Sequence, residues 1–284
     1  MFRRICAVSI ACGAGLAALT AAAHFSPVRA QSAELVLCDR VAADPADPDK
    51  PKDVKGVAAI APSDIAIAIK YCRVASAHSR RALFELGRAY AANHQMAEAV
   101  AAYRKAADKG SSSAMVELGV LLANGSGVAK NEAQSRQLFE RAAKAGNPRG
   151  MTNLATLPGA GGAASMDPVK QRALLAQAAQ EGSAEAQFRL GVMYANGVGG
   201  PQDDAAARVL FEKAAAQGNA NALEWAGSFA QIGRGGPQNK DAAKSYYEKA
   251  AALGDEEAKA RLKELACPYV IKDKRGNVVT HLCF

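Results

Sequence analysis

Aromatic side chains are scarce in this sequence of 284 residues: phenylalanine, tyrosine and tryptophan together make up 6% of it, and tryptophan occurs once. A β-sandwich or β-barrel of this length needs more aromatic and β-branched residues, so the composition excludes both classes. Half of the residues are nevertheless apolar, which excludes a disordered chain. The length allows one large domain or two small ones, and the abundance of alanine predicts closely packed helices.

Sequence motifs of catalysis are also missing. The chain has four histidines and no His-Glu-x-x-His, Gly-x-Ser-x-Gly or Walker motif, nor a Gly-x-Gly-x-x-Gly between a strand and a helix. Basic and acidic residues alternate on the predicted helix faces, which is typical of a solvated surface rather than of a nucleic-acid interface. We therefore expect no enzyme activity, no cofactor, no metal and no bound nucleic acid.

Residues 1–30 have the pattern of a secretory signal peptide. Arg3 and Arg4 precede the uncharged apolar stretch Ile5–Ala23, and Val28-Arg29-Ala30 has the small-x-small pattern of a cleavage site. A membrane anchor is the alternative, but the stretch is rich in alanine and glycine rather than leucine. Cleavage after Ala30 would lower the formal charge from +8 to +5 and leave a periplasmic or secreted protein without a membrane span.

Removal of the signal leaves an even number of cysteines, which in an exported chain predicts two disulfides among Cys38, Cys72, Cys267 and Cys283. We expect residues 31–75 to form an N-terminal helical cap. A short helix over 35–42 is followed by a turn-rich linker over 44–51, and Ser63-Asp64 caps a helix that runs to about Ala75. A Cys38–Cys72 bond would join the two helices across the linker.

Residues 267–284 predict a β-hairpin that covers the last helix. A three-residue loop with Gly276 in the left-handed conformation would place Asp273 opposite Asn277. Counting outward from this pair puts Cys267 opposite Cys283, so the register predicts a disulfide at the base of the hairpin. The alternative is a metal site that uses both cysteines and His281.

The region between these ends, residues 76–266, is periodic. Five glycines stand 36 residues apart, and each closes a segment that contains an Ala-Ala pair: Gly110, Gly146, Gly182, Gly218 and Gly254. A period in this range indicates a solenoid of stacked units.

Each unit predicts two helices with different packing residues. The first helix carries Leu-Gly or an equivalent, often with an aromatic residue or leucine three positions later, at Leu86, Gly87, Tyr90, Leu118, Gly119, Leu190, Gly191, Tyr194 and Gly227. The glycine would let two helix backbones approach closely. The second helix carries an aromatic residue before its Ala-Ala pair, at Tyr103, Phe139, Phe211 and Tyr247.

This combination resembles the Sel-one-like repeat (SLR) family, a 36-residue relative of the tetratricopeptide repeat, from about Ser79 to Ala266. The first unit is four residues shorter in its loop and resembles a tetratricopeptide repeat itself. The resemblance implies an all-α fold, a right-handed α/α solenoid of stacked helix pairs. It also implies a protein-interaction scaffold, because exported bacterial members include regulators of membrane signalling proteins and parts of polysaccharide export machinery.

The third unit departs from the pattern. Leu154-Ala155 replaces Leu-Gly, and Pro158 would end the first helix about a turn early. Asp167-Pro168 then restarts a helix, with aspartate as N-cap and proline at the first position. Either the repeat has drifted, or it forms a local groove that accepts a partner.

The resemblance makes a non-catalytic adaptor the leading hypothesis, with a concave solenoid surface that binds another protein or peptide in the cell envelope. Trp225 lies in a first helix, where it serves either packing or partner binding. The alternative is a cell-wall-binding or β-lactam-acting protein, as described for cysteine-rich relatives. Those relatives carry a disulfide inside each helix pair, whereas residues 73–266 here contain no cysteine.

Overall fold

A computed structural model describes residues 32–157, 166–266, 269–276 and 278–282. Within these ranges the chain forms thirteen α-helices, a 3-10 turn over Pro62–Asp64 and one two-stranded sheet. In chain order the elements are α1 (Ala33–Ala42), α2 (Ile65–Ala75), α3 (Arg80–Ala92), α4 (Met96–Asp108), α5 (Ser112–Asn124), α6 (Glu132–Lys144), α7 (Pro148–Thr156), α8 (Pro168–Gln180), α9 (Ala184–Asn196), α10 (Asp204–Ala216), α11 (Ala220–Ile232), α12 (Lys240–Ala252), α13 (Glu256–Ala266), β1 (Tyr269–Lys272) and β2 (Val278–Leu282).

Helices α3 to α12 form five antiparallel pairs, and α13 follows as an additional first helix. Each helix packs against the helices before and after it, while α5 also contacts α7 and α7 also contacts α9. The expected solenoid of stacked helix pairs is therefore confirmed. We call the surface formed by α3, α5, α7, α9, α11 and α13 the first-helix face. Among the described helices, none combines the length and apolar character required to cross a membrane.

The period of 36 is set by local signals at both ends of each unit. Every closing glycine has a positive φ, between 78° and 93°, which ends the second helix of the unit. After four of these glycines the next first helix begins behind a serine or asparagine whose side chain accepts a hydrogen bond from a backbone N–H in the first turn, at Ser111, Asn147, Ser183 and Asn219. After Gly254 the same role falls to Asp255.

The N-terminal helices are joined as predicted. Cys38 and Cys72 form a disulfide between α1 and α2 with their Cα atoms 4.8 Å apart. The expected capping of α2 by Ser63-Asp64 is wrong, because the Asp64 side chain makes no capping hydrogen bond. Ser63 Oγ instead donates to the Asp64 carboxylate, and a 3-10 turn that starts at Pro62 leads into the helix.

The third unit is shortened where the sequence predicted it. Helix α7 has nine residues, compared with thirteen in α3, α5, α9 and α11, and ends at Thr156. Pro158 itself lies outside the described residues. The Asp167 side chain accepts hydrogen bonds from the backbone N–H groups of Val169 and Lys170, with Pro168 at the first helical position.

The C-terminal strands pair antiparallel, and Gly276 in their loop has a φ of 86°. The predicted register is wrong beyond Lys272, because a β-bulge places Ile271 opposite Thr280 rather than opposite Val279. The counting that set Cys267 opposite Cys283 therefore fails. Both cysteines lie outside the described residues, and their disulfide stays a prediction. Nothing in the described part of the chain supports packing of this hairpin as a cover over α13.

Candidate interaction surface

The glycines of the first helices lie directly under aromatic rings of the second helices. A Cβ atom at Gly87, Gly119, Gly191 or Gly227 would come within 2.5 to 2.7 Å of a ring carbon of Tyr103, Phe139, Phe211 or Tyr247, respectively. No side chain fits at that distance in a close-packed interior. The glycine therefore makes room for a ring, rather than for the contact between two helix backbones that the sequence suggested.

The third unit uses a different pair of residues at these two positions. Ala155 replaces the glycine and Leu175 replaces the aromatic residue, and both are buried in the same apolar cluster. A leucine side chain leaves free the space that a phenyl ring would occupy, and the alanine Cβ fits there. The departure from the repeat pattern is therefore a matched change in packing, which favours drift over a specialised groove.

Polar side chains connect successive first helices along their common face. Arg149 at the start of α7 donates to Glu117 of α5, with Nη2 and Oε1 2.5 Å apart. One unit further on, the Nδ2 atom of Asn219 donates to Glu185 Oε2 at 3.1 Å. The first-helix face is therefore lined by charged and amide groups that face solvent or each other.

The N-terminal half of this face is covered by the chain itself. The Arg88 guanidinium of α3 donates to the carbonyl oxygens of Ala42, Val57 and Ala58 at 2.6 to 2.9 Å. Arg81 donates through Nη1 to the carbonyl of Asp49 at 3.1 Å. The linker between α1 and α2 thus lies against α3 instead of extending freely.

Carboxylates of the linker reach three successive first helices. Arg80 binds Asp49 through two nitrogens at 2.8 and 2.6 Å, and Ser113 of α5 donates to Asp47 at 2.8 Å. Asp44 forms an ion pair with Arg149 of α7 at 3.4 Å. This docking was not predicted from the sequence, although the spacing of acidic residues in the linker and the arginines of the first helices are both visible there.

Beneath the linker lies a buried carboxyl group, Glu85, with no solvent exposure. Its Oε2 atom is 2.7 Å from Cys38 Sγ, and its Oε1 atom has no hydrogen-bond partner among the described residues. Asp39, also buried, accepts two hydrogen bonds from Arg81 at 2.9 Å. Burial, and then the negative charge of Asp39, raise the pKa of Glu85 to about 9, so this side chain is protonated at neutral pH.

The three side chains Cys38, Cys72 and Glu85 lie within 4.8 Å of one another, a grouping that could hold a metal ion if the thiols were free. Both sulfur atoms are bonded to each other, and a disulfide offers no thiolate to a metal. In the oxidised protein this cluster is a structural link between α1, α2 and α3.

The C-terminal half of the first-helix face has no such cover among the described residues. Trp225 of α11 is partly exposed there, and its ring packs against the rings of Phe211, Phe229 and Phe188 with centroids 5.2, 6.2 and 6.5 Å apart. The indole therefore belongs to an aromatic cluster and also presents surface to solvent.

Acidic groups lie beside this tryptophan. Partial burial raises the pKa of Glu224, and the nearby charges of Asp255 and Glu257 act in the same direction while Arg261 opposes them. Ile232, at the end of the same helix, is 65% exposed. The uncovered half thus combines aromatic, aliphatic and charged surface, a composition common in protein interfaces.

Comparison with known proteins agrees with the repeat geometry. Residues 112–147, 184–219 and 220–255 match the Sel1 repeat model, which leaves out the shorter first unit and the divergent third unit. No curated protein sequence matches the chain.

Two solved structures are similar over 72% of the chain. One is a Sel1 repeat protein from Oxalobacter formigenes, with 29% identity and a TM-score of 0.64. The other is a protective antigen of uropathogenic Escherichia coli strains that displays an SLR fold, with 27% identity and a TM-score of 0.61. The aligned region spans 60% and 44% of those chains. Sel1-like repeats generally serve as scaffolds for protein–protein interaction. The chain therefore contains three Sel1 repeats and is similar in structure to solved Sel1-like repeat proteins.

Proposed function

We propose that the protein is an exported, non-catalytic scaffold that binds another protein or peptide through the first-helix face of α9, α11 and α13. The observation that carries the proposal is the partly exposed Trp225, whose ring packs on the buried rings of Phe211 and Phe229 in the half of the face that the linker leaves open. An aromatic anchor fixed by surrounding rings loses little conformational freedom on binding, which is the usual property of interface hot spots.

Location in the cell envelope is part of the proposal. The Cys38–Cys72 disulfide is fully buried and joins two helices, as expected of a structural disulfide in a protein that folds in an oxidising compartment. The signal-like pattern of residues 1–30 supports the same location. A scaffold there would regulate an envelope signalling protein or contribute to polysaccharide export.

The first prediction concerns two variants on the open half of the face. Trp225→Ala and Ile232→Glu should each weaken binding of a partner recovered by cross-linking in the native compartment, Trp225→Ala by tenfold or more, because hot-spot truncations cost about 2 kcal/mol or more. Val209→Glu is the matched control, since Val209 is 49% exposed on the second helix α10. Dissociation constants by calorimetry and unfolding curves by circular dichroism separate lost binding from lost folding.

Equal binding by the wild type and both face variants would contradict the proposal. Recovery of only the protein itself under several cross-linking conditions would count against it too. A purified preparation that hydrolyses a β-lactam or sediments with peptidoglycan, unaffected by these variants, would favour the alternative function.

A further inference from the structure

The linker that covers the N-terminal half of the first-helix face is held mainly by polar contacts, and Val57 near its end also packs against the apolar cluster of α2 and α3. Between Asp44 and Ala59 only Asp47 is buried among the side chains. The residues on either side of the linker are held by apolar contacts instead, because Cys38, Ala42 and Ile60 belong to one apolar cluster with α2 and α3. The segment can therefore leave the face while its flanking anchors stay in place.

The surface under the linker has the chemistry of a site for an extended acidic chain. Arg88 binds backbone carbonyl oxygens, and Arg80 and Arg149 bind the carboxylates of Asp49 and Asp44. Guanidinium groups are suited to both kinds of acceptor, because they present several N–H donors in one plane. Carbonyl contacts are independent of side-chain identity, whereas the carboxylate contacts select for acidic residues.

The acidic groups already present on this part of the face do not cancel its positive charge. Glu117 is paired with Arg149, and Glu85 carries a proton at neutral pH. Asp39 lies under the linker and accepts both hydrogen bonds from Arg81. Removal of the linker would leave Arg80 without its carboxylate, Arg88 with only the carbonyl of Ala42, and the buried Ser113 hydroxyl without its carboxylate.

The fit of the linker is incomplete at one position. Asp47 is 5% exposed, and its Oδ2 atom has no hydrogen-bond partner among the described residues. Burial of a carboxylate with one oxygen unsatisfied is unfavourable, and the burial raises the pKa of Asp47. A peptide whose buried carboxylate oxygens were all hydrogen-bonded would avoid this cost. Its contacts with the same surface would therefore be more favourable than those of the linker.

We propose that the arginine-lined surface of α3, α5 and α7 is a binding site for an extended acidic peptide of a partner protein, and that residues 44–59 occupy it as a tethered competitor. The tether gives the segment an effective concentration on the order of millimolar, so a free peptide must compete against it. Salt weakens the ion pairs between the segment and the site, so the affinity of the segment for the site falls as the salt concentration rises. This site is separate from the surface around Trp225, and its test needs no partner from the proposed function.

The test uses the whole chain and a fluorescently labelled peptide with the sequence of residues 42–58. In the variant Asp44→Asn/Asp47→Asn/Asp49→Asn the tethered segment loses the three carboxylates that contact the face. The free peptide should then bind at least tenfold more tightly than to the wild type, as measured by fluorescence anisotropy. Added Arg88→Ala and Arg149→Ala substitutions should abolish that binding, and so should asparagine at the three aspartate positions of the peptide. The matched control is Asp53→Asn, an exposed position in the same segment, which should bind as the wild type does.

A folded triple variant that does not bind the peptide overturns the proposal. Hydrogen exchange of the wild-type chain is a second measurement that needs no substitution. Excess peptide should speed the exchange of backbone amides within residues 44–59 while the amides of α2 and α3 keep their rates. Unchanged exchange in the segment at saturating peptide overturns the proposal as well, whether or not the triple variant folds.

Discussion

Raising the pH from about 5 to about 8 should lower the free energy of unfolding of this protein, and Glu85→Gln should remove much of that loss. The pKa of Glu85 is raised from 4.5 to about 9 in the folded protein. Between these two values the folded state keeps a proton that the unfolded state releases, so stability falls as the pH rises. The limiting slope for one proton is about 1.4 kcal/mol per pH unit.

The environment of Glu85 determines the sign of this effect. Burial and the charge of Asp39 favour the protonated carboxyl group, Asp47 acts in the same direction, and Arg81 opposes them. Glutamine keeps the shape and the neutral state of the protonated side chain, so the variant should gain stability over the wild type progressively above pH 5. Some pH dependence should remain, because burial also raises the pKa of Asp47.

Urea unfolding at a series of pH values measures this slope directly. Glu117→Gln is the matched control, because Glu117 occupies the corresponding position of α5 but is partly exposed and paired with Arg149. The control should keep the wild-type slope. Parallel pH profiles for the wild type and Glu85→Gln would show that Glu85 is ionised in the folded protein.

Gly119→Ala should destabilise the chain by about 1–3 kcal/mol, because the new Cβ would lie 2.6 Å from a ring carbon of Phe139. Phe139→Leu in the same chain should recover part of the loss by opening space for that Cβ. The double variant reproduces the residues that stand in the third unit, Ala155 and Leu175. We expect a favourable interaction energy of about 1 kcal/mol or more between the two substitutions in a double-mutant cycle.

The third unit provides the control for this cycle. Ala155→Gly relieves no contact with a ring, so it should destabilise the chain, by about 0.5–1 kcal/mol for the conformational freedom of glycine in a helix and by about 1 kcal/mol for the lost buried methyl group. Strictly additive free energies for Gly119→Ala and Phe139→Leu would contradict the proposed packing. Chemical unfolding of the four members of the cycle, the wild type included, measures these free energies.

Much of the fold follows from signals that act over a few residues. A closing glycine ends the helix before it, and a capping serine, asparagine or aspartate accepts hydrogen bonds from the free backbone N–H groups of the helix after it. Because these effects are local, they can be predicted without knowledge of distant contacts. The Cys38–Cys72 pairing was predicted for a similar reason, since both helices and the linker between them are recognisable in the sequence.

The covered half of the first-helix face was not predicted, because its contacts join residues far apart in the sequence. Asp44 and Arg149 are 105 residues apart, and the pattern of charges alone does not say which acidic residue meets which arginine. The hairpin register failed for a different reason. A single bulged residue shifts every later pair, and no residue pattern in β1 or β2 marks its position.

The sequence by itself determined the helical repeat, its period and the boundaries of its units, because glycine, proline and capping side chains impose backbone conformations locally. The tertiary structure alone decided which surfaces remain open and how buried groups ionise. Arg80, Arg88 and Arg149 meet the linker, and Glu85 meets a disulfide and a second carboxylate, only after stacking has brought α1, α3, α5 and α7 together. Burial and charge depend on these distant neighbours, so the open surface around Trp225 and the raised pKa of Glu85 are properties of the folded array.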